Sequence, residues 1–246
     1  MAEHNLSHLD VPDIQKFNEA QHQVHSLLQW VARVENSYGP DAGRKEPIRL
    51  RWCDERRAIT THGLIDGLEL ELRVAEMTLQ FLEHGKPSNH AFSAEEHSPA
   101  HAEAWLLIEL LHRGVDRSRF TKKLPYDASQ LLSGDGQEFS PEQYSDELVL
   151  LAEWMSRAAR ALQSADKGSD GNGDRKVLVR PEDLSMELLC SGHVVGFAPV
   201  GSVLDEPYFY VRGRDSQERP REDVIAASHI FGSAGAGQLD TFVRGH

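Results

Sequence analysis

The chain has 246 residues, with 39 Asp and Glu against 26 Lys and Arg, for a formal charge of −13. A field of that sign repels phosphate backbones and anionic membrane surfaces, which argues against a nucleic-acid partner. No apolar run approaches the ~20 residues of a membrane span, and Met1-Ala2-Glu3-His4-Asn5 lacks the basic-then-apolar order of a signal peptide, so a soluble, cytoplasmic protein with no membrane partner is expected. Cys53 and Cys190 are too few for a disulfide framework and wrongly spaced for a zinc knuckle, and are read as buried free thiols.

Residues 1–12 are polar without sustained period and read as a flexible arm. From Ile14 the pattern turns helical. Val24, Leu27, Leu28, Val31 and Val34 recur at three- and four-residue steps, Trp30 extends the stripe, and Gly39-Pro40 supplies the stop. A strand meander follows. Ile48 to Trp52 alternates, Ala58 to Thr61 is short, and Leu68, Leu70, Leu72 and Val74 share a face opposite Glu69, Glu71 and Arg73. Parity then flips to Met77, Leu79 and Phe81, which predicts a turn or bulge near Ala75-Glu76 and an antiparallel hairpin. A brief strand is expected near His90 to Phe92.

Ser98-Pro99 reads as an N-cap and first helical proline, opening a helix that Gly114 ends. Ala104, Leu107, Ile108 and Leu111 form the stripe expected to cover the meander. From Val115 to Ser140 no period survives despite real apolar content, and so long a connection is either functional or pinned across a surface. Ser140-Pro141-Glu142 starts a second long helix. The glycine-rich Asp166 to Asp174 is a solvated break; it lacks the closing Glu and second helix of a calcium loop. Strands are expected at Lys176 to Val179, Leu184 to Leu188, Val194 to Phe197 and Pro207 to Val211. Val224 to Phe231 reads as a short helix, and residues 232–246 as a flexible tail.

Leu27-Leu28-Gln29-Trp30-Val31-Ala32-Arg33 shares its L-x-x-W-x-x-R face with Leu151-Ala152-Glu153-Trp154-Met155-Ser156-Arg157, and strand-like runs follow each copy. The predicted class is therefore α+β, with two related helix-plus-antiparallel-sheet halves, 13–140 and 141–231, packed as one unit.

No motif names a reaction. His97/His101 and His22/His25 have helical metal spacings, but the Ser98 cap places His97 outside its helix and no third ligand is identifiable for the other pair; no metal or other cofactor is expected. Gly232 to Gly237 does not join a strand to a helix N-terminus, as a phosphate loop must. Ser191-Gly192-His193 lacks the G-x-S-x-G elbow. Asp135 with Glu138, or Glu69 with Glu71, are acid/base pairs only in composition. The candidate ligand-binding residues read from the pattern are Tyr208 and Tyr210, which share one strand face as half of a core or the wall of a pocket, together with Arg51 and Arg180. The two arginines end corresponding strands and either hold an anion jointly or pair with carboxylates.

In their order, the Trp30 helix, Thr61-His62-Gly63-Leu64, Leu68-Glu69-Leu70-Glu71-Leu72, the Trp154 helix, Gly196-Phe197-x-Pro199 and Glu206-Pro207-x-Phe209-Tyr210 resemble an uncharacterised bacterial family of the domain-of-unknown-function kind, DUF5996-like, from about Val24 to Val211. That family tends to carry an aromatic- or histidine-rich run ending Phe-Asp-Leu. This chain has Arg180-Pro181-Glu182-Asp183-Leu184 there, keeping only the Asp-Leu; the resemblance thus adds Asp183 to the candidate ligand-binding residues and implies loss or alteration of any activity the run carries. The resemblance implies a fold and no established activity. The expectation is a small-molecule-binding protein, with an enzyme of unassigned reaction left open within it, and a protein-interaction or self-association module, including a homo-oligomer, as the alternative.

Overall fold

Asp13, in extended conformation, accepts hydrogen bonds on its carboxylate from the N–H groups of Gln15 and Lys16 and so starts α1, Ile14–Tyr38. A computed structural model gives the conformation, and describes residues 13–44, 46–131, 136–165, 176–190, 193–199, 203–204, 206–214, 220–231 and 238–244. The expected N-terminal arm and the 166–174 break lie outside the described residues.

Every residue of α1 from Gln23 to Glu35 is buried. A helix enclosed on all sides must satisfy its polar side chains internally, and this one does so through the connection that follows the next helix. Arg33 Nε donates to the Lys122 carbonyl, Asn36 Nδ2 to that of Lys123, and the Tyr126 hydroxyl to Gln29 Oε1. The Lys122 to Tyr126 part of the long connection is thus pinned across α1.

The first wing of the sheet is a meander of β1, Leu50–Cys53, β2, Ala58–Thr60, β3, Leu68–Arg73, and β4, Thr78–Glu83, with the short β5, Lys86–Pro87, and β6, Phe92–Ser93, both on β4. The β3–β4 turn falls where parity flips, with Met77 at φ 44°. Helix α2, Pro99–His112, begins at Ser98, whose N–H donates to His101 Nδ1, and gives way to Gly114 at φ 66°. A 3-10 turn at Pro141–Tyr144 leads into α3, Ser145–Ala165. The second wing is β7, Leu178–Val179, β8, Met186–Cys190, β9, His193–Ala198, β10, Tyr208–Arg214, and β11, Pro220–Ala226. Two short helices close the described chain, α4, Ala227–Phe231, and α5, Gln238–Arg244.

Among the described residues, all strands join one 11-stranded antiparallel sheet, in the order β11-β10-β9-β8-β7-β1-β2-β3-β4-β5, with β6 on β4. The α+β class is as read from sequence. One continuous sheet serves both long helices: α1 packs on β3, α3 on β8 and β9, and the two helices on each other. The wings meet where β1 pairs with β7 through Leu50–Val179 and Arg51–Leu178. Trp30 and Trp154, 3 % and 1 % exposed, lie in unlike surroundings. The first sits beneath the Arg33 guanidinium, 4.2 Å from its centroid, and the second packs on Phe17 at 4.8 Å.

Three expectations are corrected. The α2 side chains that face inward are Ala102, Leu106 and Leu110, while Ile108 and Leu111 are 50 % and 51 % exposed. This helix is apolar on more than one side, so periodicity could not choose between them. Val224-Ile225 belongs to a strand, because both pair with β10, and the helix starts only at Ala227. Within the expected tail, residues 238–244 form α5, which packs on α3 with Leu239 and Val243 buried; the glycine run 232–237 lies outside the described residues.

Candidate functional site

Strand alternation sends Val177, Val179, Met186, Leu188, Val195, Phe197, Phe209 and Val211 into the helix-covered core, so their sequence neighbours occupy the other face of the sheet. There one transverse row runs Arg51, Leu178, Glu187, Gly196, Tyr210, Val224 across six strands. Gly196 matters because it has no side chain: a Cβ would lie 2.1 Å from Tyr210 Cζ. The Tyr210 ring therefore lies over β9, and its hydroxyl donates to Glu187 Oε1 at 3.0 Å, with Ser185 Oγ at 3.3 Å. Ser185 Oγ in turn donates to Asp183 Oδ1 at 2.6 Å.

Glu187, 8 % exposed, gathers three guanidinium groups: Arg212 at 3.2 Å, Arg180 at 3.3 Å and Arg49 at 3.6 Å. The cations have further partners. Arg180 lies 3.6 Å from both Asp183 and Glu182, Arg49 is 3.9 Å from Glu182, and Arg212 also pairs with Glu222. Three positive charges thus face four carboxylates, and the cluster is compensated within itself. Burial alone would lower the Arg180 guanidinium, but Asp183, Glu187 and Glu182 carry it above its ordinary value. Burial, then the Glu187 charge, pushes the Tyr210 phenol well up; burial, then Glu222, does the same to Tyr208.

Of the residues singled out from sequence, Arg180, Asp183 and Tyr210 come together. Tyr208 lies beside Tyr210, ring centroids 6.4 Å apart, in a small apolar cluster with Ala198 and Leu204. Both rings are buried, so the pair is packed core on this face. Arg51 stands apart from Arg180. It donates to the Thr61 carbonyl at 2.8 Å and to Glu69 at 2.5 Å. The arginine that shares the Glu187 cluster is Arg49, which sequence reasoning passed over together with Glu187 and Arg212. Glu187 and Arg212 carried one available signal, each being a charged residue at an alternating strand position. The other wing repeats the device on a smaller scale: Glu71, fully buried, is held by Arg56 at 2.7 Å and Arg73 at 3.0 Å.

The Arg49 side chain is 29 % exposed. That residue also lines a cleft of about 350 Å³ between the C-terminal end of α1 and the 40–49 segment, with Glu35, Asn36, Arg44, His62 and Leu178. Glu35 Oε2 accepts the His62 backbone N–H at 2.8 Å, and its Oε1 lies 3.3 Å from His62 Nδ1. A second cleft, about 520 Å³, lies at the far end of β3 and β4 against His84, His112 and Arg113. Its cation is already spent on Glu109 at 2.6 Å and Glu83 at 3.0 Å, and His84-Gly85 is the tight turn between β4 and β5 with both φ positive.

The histidine pairs have other uses. His101 caps α2, and His97 stands edge-on to it with ring centroids 5.3 Å apart. His25 Nε2 donates to the Pro181 carbonyl at 2.8 Å, which also accepts from Gln29 Nε2 at 2.9 Å, and burial lowers the His25 pKa from its ordinary value. Among the described residues, no group of three or more His, Cys, Asp or Glu side chains could hold a metal ion, and no helix is long and apolar enough to cross a membrane. No family model, no curated protein and no solved structure matches the chain.

Proposed function

We propose that the protein binds a small molecule in the cleft at Arg49, with the Glu187 ion-pair cluster as its rigid rear wall. One observation carries this reading: Arg49 belongs at once to the buried network and to the open cleft. A guanidinium held on one side by carboxylates offers its remaining N–H donors in a fixed direction, which is what orients a polar ligand. Arg180, Asp183 and Tyr210 then act by fixing the wall, Tyr208 by packing behind it, and Arg51 by tying β1 to the Thr61-His62 segment. A cytoplasmic setting is part of the proposal and suits the two free thiols, Cys53 and Cys190; the charge of −13 supports a partner other than nucleic acid. The likeness to the DUF5996-like family rests on the sequence motifs and adds no substrate.

Thermal-shift screening of a metabolite library tests the reading with two chains, wild type and Leu178→Trp, which fills the cleft. Compounds should raise the melting temperature of the first and not the second. A library without one such compound, or ligands indifferent to the tryptophan, overturns it.

A second reading, self-association through α2, is favoured by one observation: Ile108 and Leu111 present an apolar stripe to solvent beside the exposed Ala100 and Ala104.

A further inference from the structure

We propose that Glu35 and His62 form a carboxylate–imidazole pair that presents His62 Nε2 to the Arg49 cleft, where it accepts the proton of a hydroxyl group on a small polar ligand. This rests on the binding reading above and names the chemistry of that same site. Glu35 is the positioning residue. Its Oε2 takes the His62 backbone N–H at 2.8 Å, so carboxylate and imidazole are registered through the main chain and not only through a flexible side chain. Its Oε1 lies 3.3 Å from Nδ1, an ion-pair approach and not an aligned hydrogen bond. A carboxylate on that side of the ring favours the tautomer protonated at Nδ1 and leaves the Nε2 lone pair on the opposite side, the arrangement in which a base is oriented by a third group.

The burial is graded as this role needs. The Glu35 side chain is 9 % exposed and that of His62 is 32 % exposed, so the orienting group is sheltered and the working group is reachable. Gly39 makes the sheltering possible. A Cβ there would lie 2.3 Å from Glu35 Oε1, and the Gly39 N–H closes α1 on the Glu35 carbonyl at 2.8 Å. The two neighbouring cations have carboxylate partners, Arg44 at 2.5 Å from Asp41 and Arg49 facing Glu187 and Glu182, and Glu46 also lines the cleft. The step moves one proton. The ligand O–H bond breaks, Nε2–H forms, the electron pair stays on the ligand oxygen, and the imidazolium rests against the Glu35 carboxylate; nothing is oxidised or reduced.

Long-range proton–nitrogen correlation spectra of the full chain at alkaline pH read the tautomer without any substitution. Nδ1–H is expected for His62, and Nε2–H overturns the pair. Diethyl pyrocarbonate, which ethoxycarbonylates an unprotonated ring nitrogen, supplies a second readout by peptide mapping. At alkaline pH, where the ring is unprotonated in every chain, His62 should be modified, and Glu35→Gln should slow that modification by about threefold or more as the orienting charge is lost, with His84 and His112 unchanged. Leu178→Trp should slow it as well, because the reagent reaches Nε2 through the cleft. Equal His62 rates in all three chains overturn the proposal, and if Glu35→Gln does not fold, the wild-type spectrum and the tryptophan chain decide. An Nδ1–H ring in a protein that binds no library compound leaves the pair standing and retires the binding reading together with the proton transfer that depends on it. A bound compound beside an Nε2–H ring retires the pair alone.

Discussion

Tyr210 is half of an aromatic pair and the hydrogen-bond donor that ties β10 to β8. Tyr210→Phe keeps the ring over Gly196 but removes the donor to Glu187, and should lower stability by about 1–2 kcal/mol, seen as a lower urea midpoint at unchanged slope. An unchanged midpoint would mean that Glu187 finds its fourth contact elsewhere. His25 governs a pH effect. Its folded pKa lies below the ordinary 6.5 because burial disfavours the charged form, while the Pro181 carbonyl only partly offsets this. The unfolded chain therefore takes up the proton first as pH falls. The contribution of His25 is fully present above about 6.5 and is lost on the acid side, down through the folded value. Urea midpoints at pH 7.5 and 5.5 should fall toward acid in the wild type and fall less in His25→Gln; parallel falls in both would sink the assignment.

At the scale of elements, the sheet is held on its far face by charged groups as well as by core. Glu187→Ala strips one shared carboxylate from Arg49, Arg180 and Arg212, and should cost about 2–3 kcal/mol, less than the ~3–5 kcal/mol typical of a broken buried pair, because Arg180 keeps Asp183 and Arg212 keeps Glu222. Thermal unfolding measures it, and a loss near zero would show the cluster to be ornamental to β7–β10. Gly196→Ala should be at least as harmful, since its methyl group must displace the Tyr210 ring. Elements with strong local grammar were legible in the sequence. Ser98-Pro99 opens α2, and the apolar parity change across Ala75-Glu76 places the β3–β4 turn. The face of α2 was not legible, because Leu106, Leu107, Ile108, Leu110 and Leu111 leave no single polar side. Nor was β11, whose Val224-Ile225 run fits helix or strand until a partner strand is known.

For the whole molecule, the exposed α2 stripe sets the association test. If the protein self-associates through it, light scattering will find a dimer that Ile108→Glu with Leu111→Glu converts to monomer, with stability changed by less than about 0.5 kcal/mol because both side chains are half exposed. A monomeric wild type ends that reading and leaves the cleft. The candidate site was only partly readable. Arg180 and Tyr210, which share the Glu187 cluster, were singled out from sequence because one follows a strand and the other stands on an alternating face, and Asp183 because of the family resemblance. Arg49, Glu35 and His62 were missed because each is paired with groups distant in the chain. Capped helix starts such as that of α2, the alternation of β3 and β4 and the turn between them are local, set by caps, side-chain period and φ preferences within a few residues, and the sequence by itself determined them along with the α+β class. The pairing of β1 with β7 was decided only by the tertiary structure, since backbone hydrogen bonds are nearly indifferent to residue identity and register between remote strands follows from which faces can be buried together. That single junction brings Arg49 to Glu187.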